Sequence, residues 1–369
     1  MRISWIVERC NEVLFGVKSE NDPLTSVTAI ELDQTLAEAA RHGMLPVVME
    51  GLSCIKIDDP EKKKVILKRY GASEKSKKNY WKRLELMEQL ALQFKNAGLE
   101  VMFLKGATTA SLYPEPQLRV FGDIDYYMFG DSDKSVQVLK DMGVATEEYF
   151  NHHTQASFKG VLLENHYDFL DRDNHRGNLL LDDELKRLVK VEGHSYPFKF
   201  ENAELDNVYS MSPTMNAIFL MRHMAAHFFS ESVALRMLYD WALFQKKYAG
   251  EVDWNKTQEL YKKSGMPAFP RMIQGILVSK LGLDMSYSPI QPICNATTDR
   301  IWQSIIESPA SNPYKKNSAR FLLYEAKVFI ENRWKHQLVF GDESYWFLFF
   351  SYTWQYLRKK IAGELVTFI

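Results

Sequence analysis

The chain is short of the features that would place it quickly. Its 369 residues hold three cysteines, Cys10, Cys54 and Cys294, odd in number, far apart and without a CxxC pair. That excludes a disulfide scaffold and a cysteine-built metal site, and it fits a reducing, cytoplasmic home. Glu8 and Arg9 fall where a signal peptide would need its apolar core, so secretion is not expected. The longest apolar run, Tyr345 to Leu357, has thirteen residues, well below the roughly 20 of a spanning helix. No transmembrane segment is therefore expected, and the run reads as a C-terminal helix burying its aromatics against the body. Net charge is also missing: Lys+Arg 46 against Asp+Glu 47 leaves −1, which argues against bulk nucleic-acid binding. GxxxxGK[ST], GxGxxG and GxSxG are absent, so P-loop, Rossmann and α/β-hydrolase chemistry lack support.

What is present is ordinary globular composition, 46% hydrophobic and 25% charged, with an aromatic content of 13%. The length suggests two or three domains. Periodicity divides the chain into an N-terminal helical region over 1–96, an α+β core over 97–205 and a C-terminal helical domain over 206–369. In the first region Thr28 with Glu31 reads as a capping box opening a helix of about fifteen residues. Between Glu61 and Glu85 stand ten Lys/Arg and three acids, read as a solvated helix face. At Leu99 the period changes. Leu99–Leu104 reads as a strand running into Lys105-Gly106 and a helix over 107–113, and Asp123–Met128 as a second strand. Thr154–Phe158 and Val161–Phe169 read as further strands joined by a tight turn at Lys159-Gly160. From Ser212-Pro213 the helical period returns, and a helix is expected from Ser232 to Tyr248.

The chemistry is concentrated in the middle. Residues two apart on a strand share a face, so Asp123 and Asp125 project together, and adjacent carboxylates invite a cation between them. Hard divalent ions such as Mg²⁺ take oxygen ligands and are often shared with substrate phosphates. Upstream, Gly106 permits close approach of backbone to a phosphate, while Lys105 and Arg119 could neutralise one. On the later strand Glu164, His166 and Asp168 alternate onto one face, where Glu164 supplies a third carboxylate. It could ligate a metal or accept the attacking hydroxyl's proton. His166 reads as a structural histidine and Asp168 as a surface residue. His223 and His227 have the spacing of a helical zinc pair but lack the intervening glutamate, and Arg236 with Asp240 reads as a helix-surface ion pair.

Together, Leu104-Lys-Gly106, Leu112-Tyr-Pro114, Arg119, Asp123-Ile-Asp125 and Glu164-x-His166 resemble a bacterial nucleotidyltransferase family of the polymerase-beta-like superfamily. Ala39–Pro46 upstream and Leu235–Asp240 downstream extend the resemblance over roughly residues 30 to 250. It implies a small mixed sheet flanked by helices and a Mg²⁺-dependent transfer of NMP from an NTP, with release of pyrophosphate. Asp123, Asp125 and Glu164 would be the catalytic residues and metal ligands, with two Mg²⁺ ions expected. Lys105, Gly106 and Arg119 would bind the nucleotide, with ATP the expected donor and a small molecule or protein as the unknown acceptor. Ala107 follows the turn glycine where the wider superfamily usually has Ser or Gly. Two rival readings stand beside this one: a non-catalytic nucleotide- or protein-binding module on the same fold, and a helical interaction protein with a vestigial acidic strand.

Overall fold

A computed structural model describes residues 2–17, 24, 27–53, 55–146, 152–172, 175–201, 203–230, 233–307, 318–341, 343–350 and 354. Helices α1 (Arg2–Phe15), α2 (Ala29–Arg41) and α3 (Leu45–Leu52) lead into the 37-residue α4 (Pro60–Asn96). The expected capping box opens α2: Glu31 N–H donates to Thr28 Oγ1 at 3.2 Å, and Thr28 N–H donates to Glu31 Oε2 at 2.8 Å. This helix ends at Arg41 just before Gly43, whose φ is +71°, and Pro46 falls at the first turn of α3, where its missing N–H costs nothing. At α4, Asp59 accepts the N–H groups of Glu61 and Lys62, and the basic stretch that follows lies largely on the surface, as its charge suggests. The second half of α4 packs through Leu86, Met87, Leu90, Ala91 and Phe94, while Val65 and Ile66 of its first half pack against the cluster of the terminal helices.

The α+β expectation holds. Strands β1 (Val101–Phe103), β2 (Asp123–Tyr127), β3 (His153–Phe158), β4 (Val161–His166) and β5 (Val208–Ser210) form a mixed sheet in the order β3-β4-β2-β1-β5. β2 runs parallel to β4 with Asp125 opposite Glu164, and β3 runs antiparallel to β4 with His153 opposite His166. Partnered residues share a face. One face is therefore apolar: Ile124, Tyr126, Ala156 and Leu163 pack with Phe94 of α4 and Leu139 of α6 (Ser132–Asp141). The other face collects Asp123, Asp125, Glu164 and His166.

Two sequence expectations change, and one strand is new. The helix after Gly106 is a single turn, α5 (Ala107–Ala110), because Pro114 and Pro116 soon break the chain. The strand expected to reach Phe169 ends at His166, where Asp182 takes the backbone N–H groups of Phe169 and Leu170 out of the ladder. Asp182 sits on α7 (Arg176–Glu192). β5 was not anticipated; three residues carry too little pattern to distinguish a strand.

The chain continues through α8 (Pro213–Ser230), α9 (Leu235–Tyr248), α10 (Trp254–Lys263), α11 (Phe269–Ser279) and α12 (Ala296–Glu307). Residue 232, the expected start of α9, lies outside the described residues. The two terminal helical regions share one buried cluster, which joins Leu36 and Val48 to Ile218, Trp241 and Ile273. Polar ties reinforce it: Asn11 donates to the Leu281 carbonyl at 2.7 Å, and Tyr239 donates to Asn11 Oδ1 at 3.0 Å. Helices α13 (Ala319–Glu331) and α14 (Arg333–Val339) precede the aromatic run. Its described part is buried on one side only. Tyr345 and Leu348 are covered, whereas Trp346, Phe347, Phe350 and Trp354 are at least half exposed. The remainder of the run lies outside the described residues. No helix among the described residues is long and apolar enough to cross a membrane.

Candidate active site

The site begins at Gly106. Its φ of +74° is a conformation that side chains disfavour, and a Cβ there would stand 3.0 Å from the Phe121 ring. The glycine lets β1 turn sharply and leaves Lys105 facing β2. Lys105 Nζ lies 3.2 Å from Asp125 Oδ1 and 3.6 Å from Asp123 Oδ2. Burial disfavours the ammonium, but Asp125, Asp123 and Glu164 outweigh it and raise the lysine pKa.

Asp125 is fully buried and is the hub of the site. Its Oδ1 also lies 3.2 Å from His166 Nε2, while its Oδ2 has no hydrogen-bond partner among the described residues. Glu164, its register partner, approaches the same imidazole at 3.8 Å. Burial alone would lower the His166 pKa, yet the bonds to Asp125 and Glu164 push it up to about 9. Burial likewise opposes ionisation of Glu164, but His166 and its neighbours hold that carboxyl down at about 2. Donor atoms of Asp125, Glu164 and His166 lie within 4.8 Å of one another. Asp123, one-third exposed, stands at the rim of this group and is linked to it through Lys105.

Arg119, the expected phosphate contact, lines a cleft beside Lys105 and Gly106. It is buried, with Nε donating to Asp240 Oδ1 and Nη2 to Asp240 Oδ2, each at 2.8 Å, and Nη1 donating to the Gly106 carbonyl at 3.1 Å. Every edge of its guanidinium is engaged in holding the turn against α9. Asp240 also accepts from the Tyr113 hydroxyl at 2.9 Å. The reading of Arg236 and Asp240 as a surface ion pair is therefore corrected: Asp240 is buried and bound to Arg119, while Arg236 donates to the Val120 carbonyl. Asp168, expected at the surface, leaves the sheet and pairs with Lys186.

The cleft, of about 150 Å³, opens beside the acidic face, lined on one side by Lys105, Gly106, Arg119 and Asp123 and on the other by His223, His227 and Arg236. The two histidine rings are 4.5 Å apart, and burial, followed by the Lys105 charge, holds the His223 pKa well below its usual value. From sequence the histidines read as a zinc pair without its glutamate, whereas the resemblance sets the helix of Arg236 near the active cleft, where it lies. His152, His153 and Gln155 were missed altogether. Gln155 Nε2 donates to Glu164 Oε1 at 3.2 Å, and His153 Nε2 lies 3.8 Å from the same oxygen. Alternation along β3 was the available signal, since it places His153 and Gln155 on one face.

The profile of the family described as uncharacterised nucleotidyltransferase matches residues 28–273. No curated protein matches the chain. A solution structure of the antibiotic-resistance factor ANT(2'')-Ia aligns with 49% of this chain and 90% of its own, at 12% identity and a TM-score of 0.34.

Proposed function

The chain belongs to the uncharacterised nucleotidyltransferase family, and from that premise we propose that it moves NMP from an NTP, with ATP the expected donor, to an acceptor hydroxyl or phosphate, releasing pyrophosphate. Asp123, Asp125 and Glu164 would hold Mg²⁺. The observation that carries this assignment is Asp125 Oδ2, a buried carboxylate oxygen without a hydrogen-bond partner among the described residues, next to the carboxylate of Glu164. Buried polar atoms are seldom left unpaired, and an oxygen-rich pocket fits a hard cation. Two such ions, when bound, would polarise the α-phosphate and activate the acceptor.

The chain's own residues divide the remaining work. Lys105 balances Asp123 and Asp125 and stands at the cleft, where its flexible amine can turn to a phosphate. Arg236 and the α8 histidines would supply further donors across the cleft beside Arg119. Arg119 also fixes the Gly106 carbonyl and with it the path of the turn. A carboxyl held at about 2 is a poor proton acceptor, which favours Glu164 as a ligand over Glu164 as a general base. A cytoplasmic setting and a small-molecule or protein acceptor complete the proposal.

The test is calorimetric titration with Mg-ATP and the other NTPs, paired with a pyrophosphate-release assay. Asp123→Asn/Asp125→Asn should lose transfer and bind Mg-NTP far more weakly. Equal affinity and equal transfer in the two proteins would refute the assignment.

A further inference from the structure

Beside the carboxylates lies a second group of donors that the transfer reaction does not use. We propose that His152, His153 and His166 form a nitrogen-rich cation site, selective for Zn²⁺ over Mg²⁺, that ties the start of β3 to the end of β4. Donor nitrogens of the three rings lie within 4.8 Å of one another. Their centroids are 4.5 Å apart for His152–His153 and 5.3 Å for each pairing with His166. Nitrogens bound tetrahedrally at about 2.0–2.1 Å from Zn²⁺ stand roughly 3.3 Å apart. The rings therefore need to close by about 1.5 Å at most, within the reach of small side-chain rotations.

Three further observations support the site. His152 Nδ1 is shielded from solvent and has no hydrogen-bond partner among the described residues. Register places His153 directly opposite His166, so two ligands come from paired strand positions, and His152 just precedes the strand. The contact between Asp125 Oδ1 and His166 Nε2 at 3.2 Å is the carboxylate–imidazole pairing that orients a metal-bound histidine through its far nitrogen. The other ring nitrogen, Nδ1, lies 3.3 Å from the Asp168 carbonyl. Imidazole suits Zn²⁺ and other late first-row divalent ions, whereas Mg²⁺ seeks oxygen. The two groups share His166 but differ in the metal they select, so the histidine site does not depend on the nucleotidyl-transfer reading.

Cobalt(II) is the probe, because its tetrahedral complexes absorb strongly in the visible. The full chain, stripped with chelator, is titrated with Co²⁺ in excess Mg²⁺, alongside His152→Ala/His153→Ala and Asp123→Asn. Wild type and Asp123→Asn should each take up one Co²⁺ at micromolar concentration, displaceable by Zn²⁺, and the histidine variant should bind at least tenfold more weakly. No uptake by wild type, or unchanged affinity in the histidine variant, overturns the proposal. Should that variant not fold, X-ray absorption of the Zn²⁺-loaded wild type decides: three imidazole ligands support the site, and an all-oxygen shell overturns it. Absence of NTP turnover, with Co²⁺ still bound through the histidines, would remove only the nucleotidyl-transfer proposal.

Discussion

Arg119 clamps Asp240 at both carboxylate oxygens, 2.8 Å each, across 121 residues of chain. The pair is buried and joins the loop before β2 to α9, while the third edge of the guanidinium holds the Gly106 carbonyl. Breaking one partner of such a pair strands a charge in the interior, which costs about 3–5 kcal/mol. Asp240→Asn should therefore lower the unfolding free energy, read from urea titration, by that order. Arg119→Met/Asp240→Leu should recover most of the loss, because neither charge then remains to be desolvated. A double variant no more stable than Asp240→Asn would show that the clamp does not act as a pair.

Gly106→Ala is expected to damage the turn twice. Alanine at φ +74° is strained, and its Cβ meets the Phe121 ring at 3.0 Å. Local strain of this kind costs about 1–3 kcal/mol. Thermal denaturation should register the loss, and nucleotide affinity should fall with it because Lys105 is displaced. Adding Phe121→Leu should relieve the collision but not the backbone strain, giving partial recovery. Full recovery would mean that the conformation itself carries no cost.

Lys105 is the internal counter-ion of the acidic pair, so removing it should have opposite effects on metal and nucleotide. In Lys105→Met the carboxylates lose their ammonium, and the rise in melting temperature produced by millimolar Mg²⁺ should exceed that of wild type. NTP affinity should fall about tenfold or more, the scale of one charge-assisted contact at roughly 1.5–3 kcal/mol. Equal Mg²⁺ responses would argue that the metal does not reach Asp123 and Asp125.

Much of this arrangement was legible in the sequence because it depends on local period. Asp123 and Asp125 share a face by strand alternation, Thr28 and Glu31 form their cap within one helical turn, and Gly106 announces a turn by its type. Glu164 could be placed on the same face of the sheet because β4 alternates cleanly. What escaped were pairings set by tertiary contact. Asp240 has a basic neighbour one turn away on its own helix, and nothing local indicates that it turns instead to Arg119. His166 looks like any histidine on a half-buried strand until β2 lies beside it and brings Asp125 to 3.2 Å. The aromatic run near the C-terminus has enough hydrophobicity to suggest full burial, but composition does not say which face finds a partner.

The contact between the two terminal helical regions carries a pH dependence of its own. His42 caps α2, is buried, and accepts the Leu235 N–H through Nδ1 at 3.2 Å. Burial first, and the Arg41 charge second, depress its pKa from 6.5 to about 4, against the pull of Glu38. Below pH 6.5 the unfolded chain takes up a proton that the folded one refuses, so stability is complete above 6.5 and falls as pH drops towards 4. At about 1.4 kcal/mol per unit, the loss by pH 5 is roughly 2 kcal/mol. Glu38, whose pKa is also lowered, acts in the same direction but only at more acidic pH. His42→Asn keeps an acceptor for the Leu235 N–H and removes the titration. Urea midpoints at pH 7.5 and 5 should therefore differ more for wild type than for His42→Asn, and the gap between the two proteins should narrow or invert on acidification. Parallel profiles would assign the acid sensitivity to other groups.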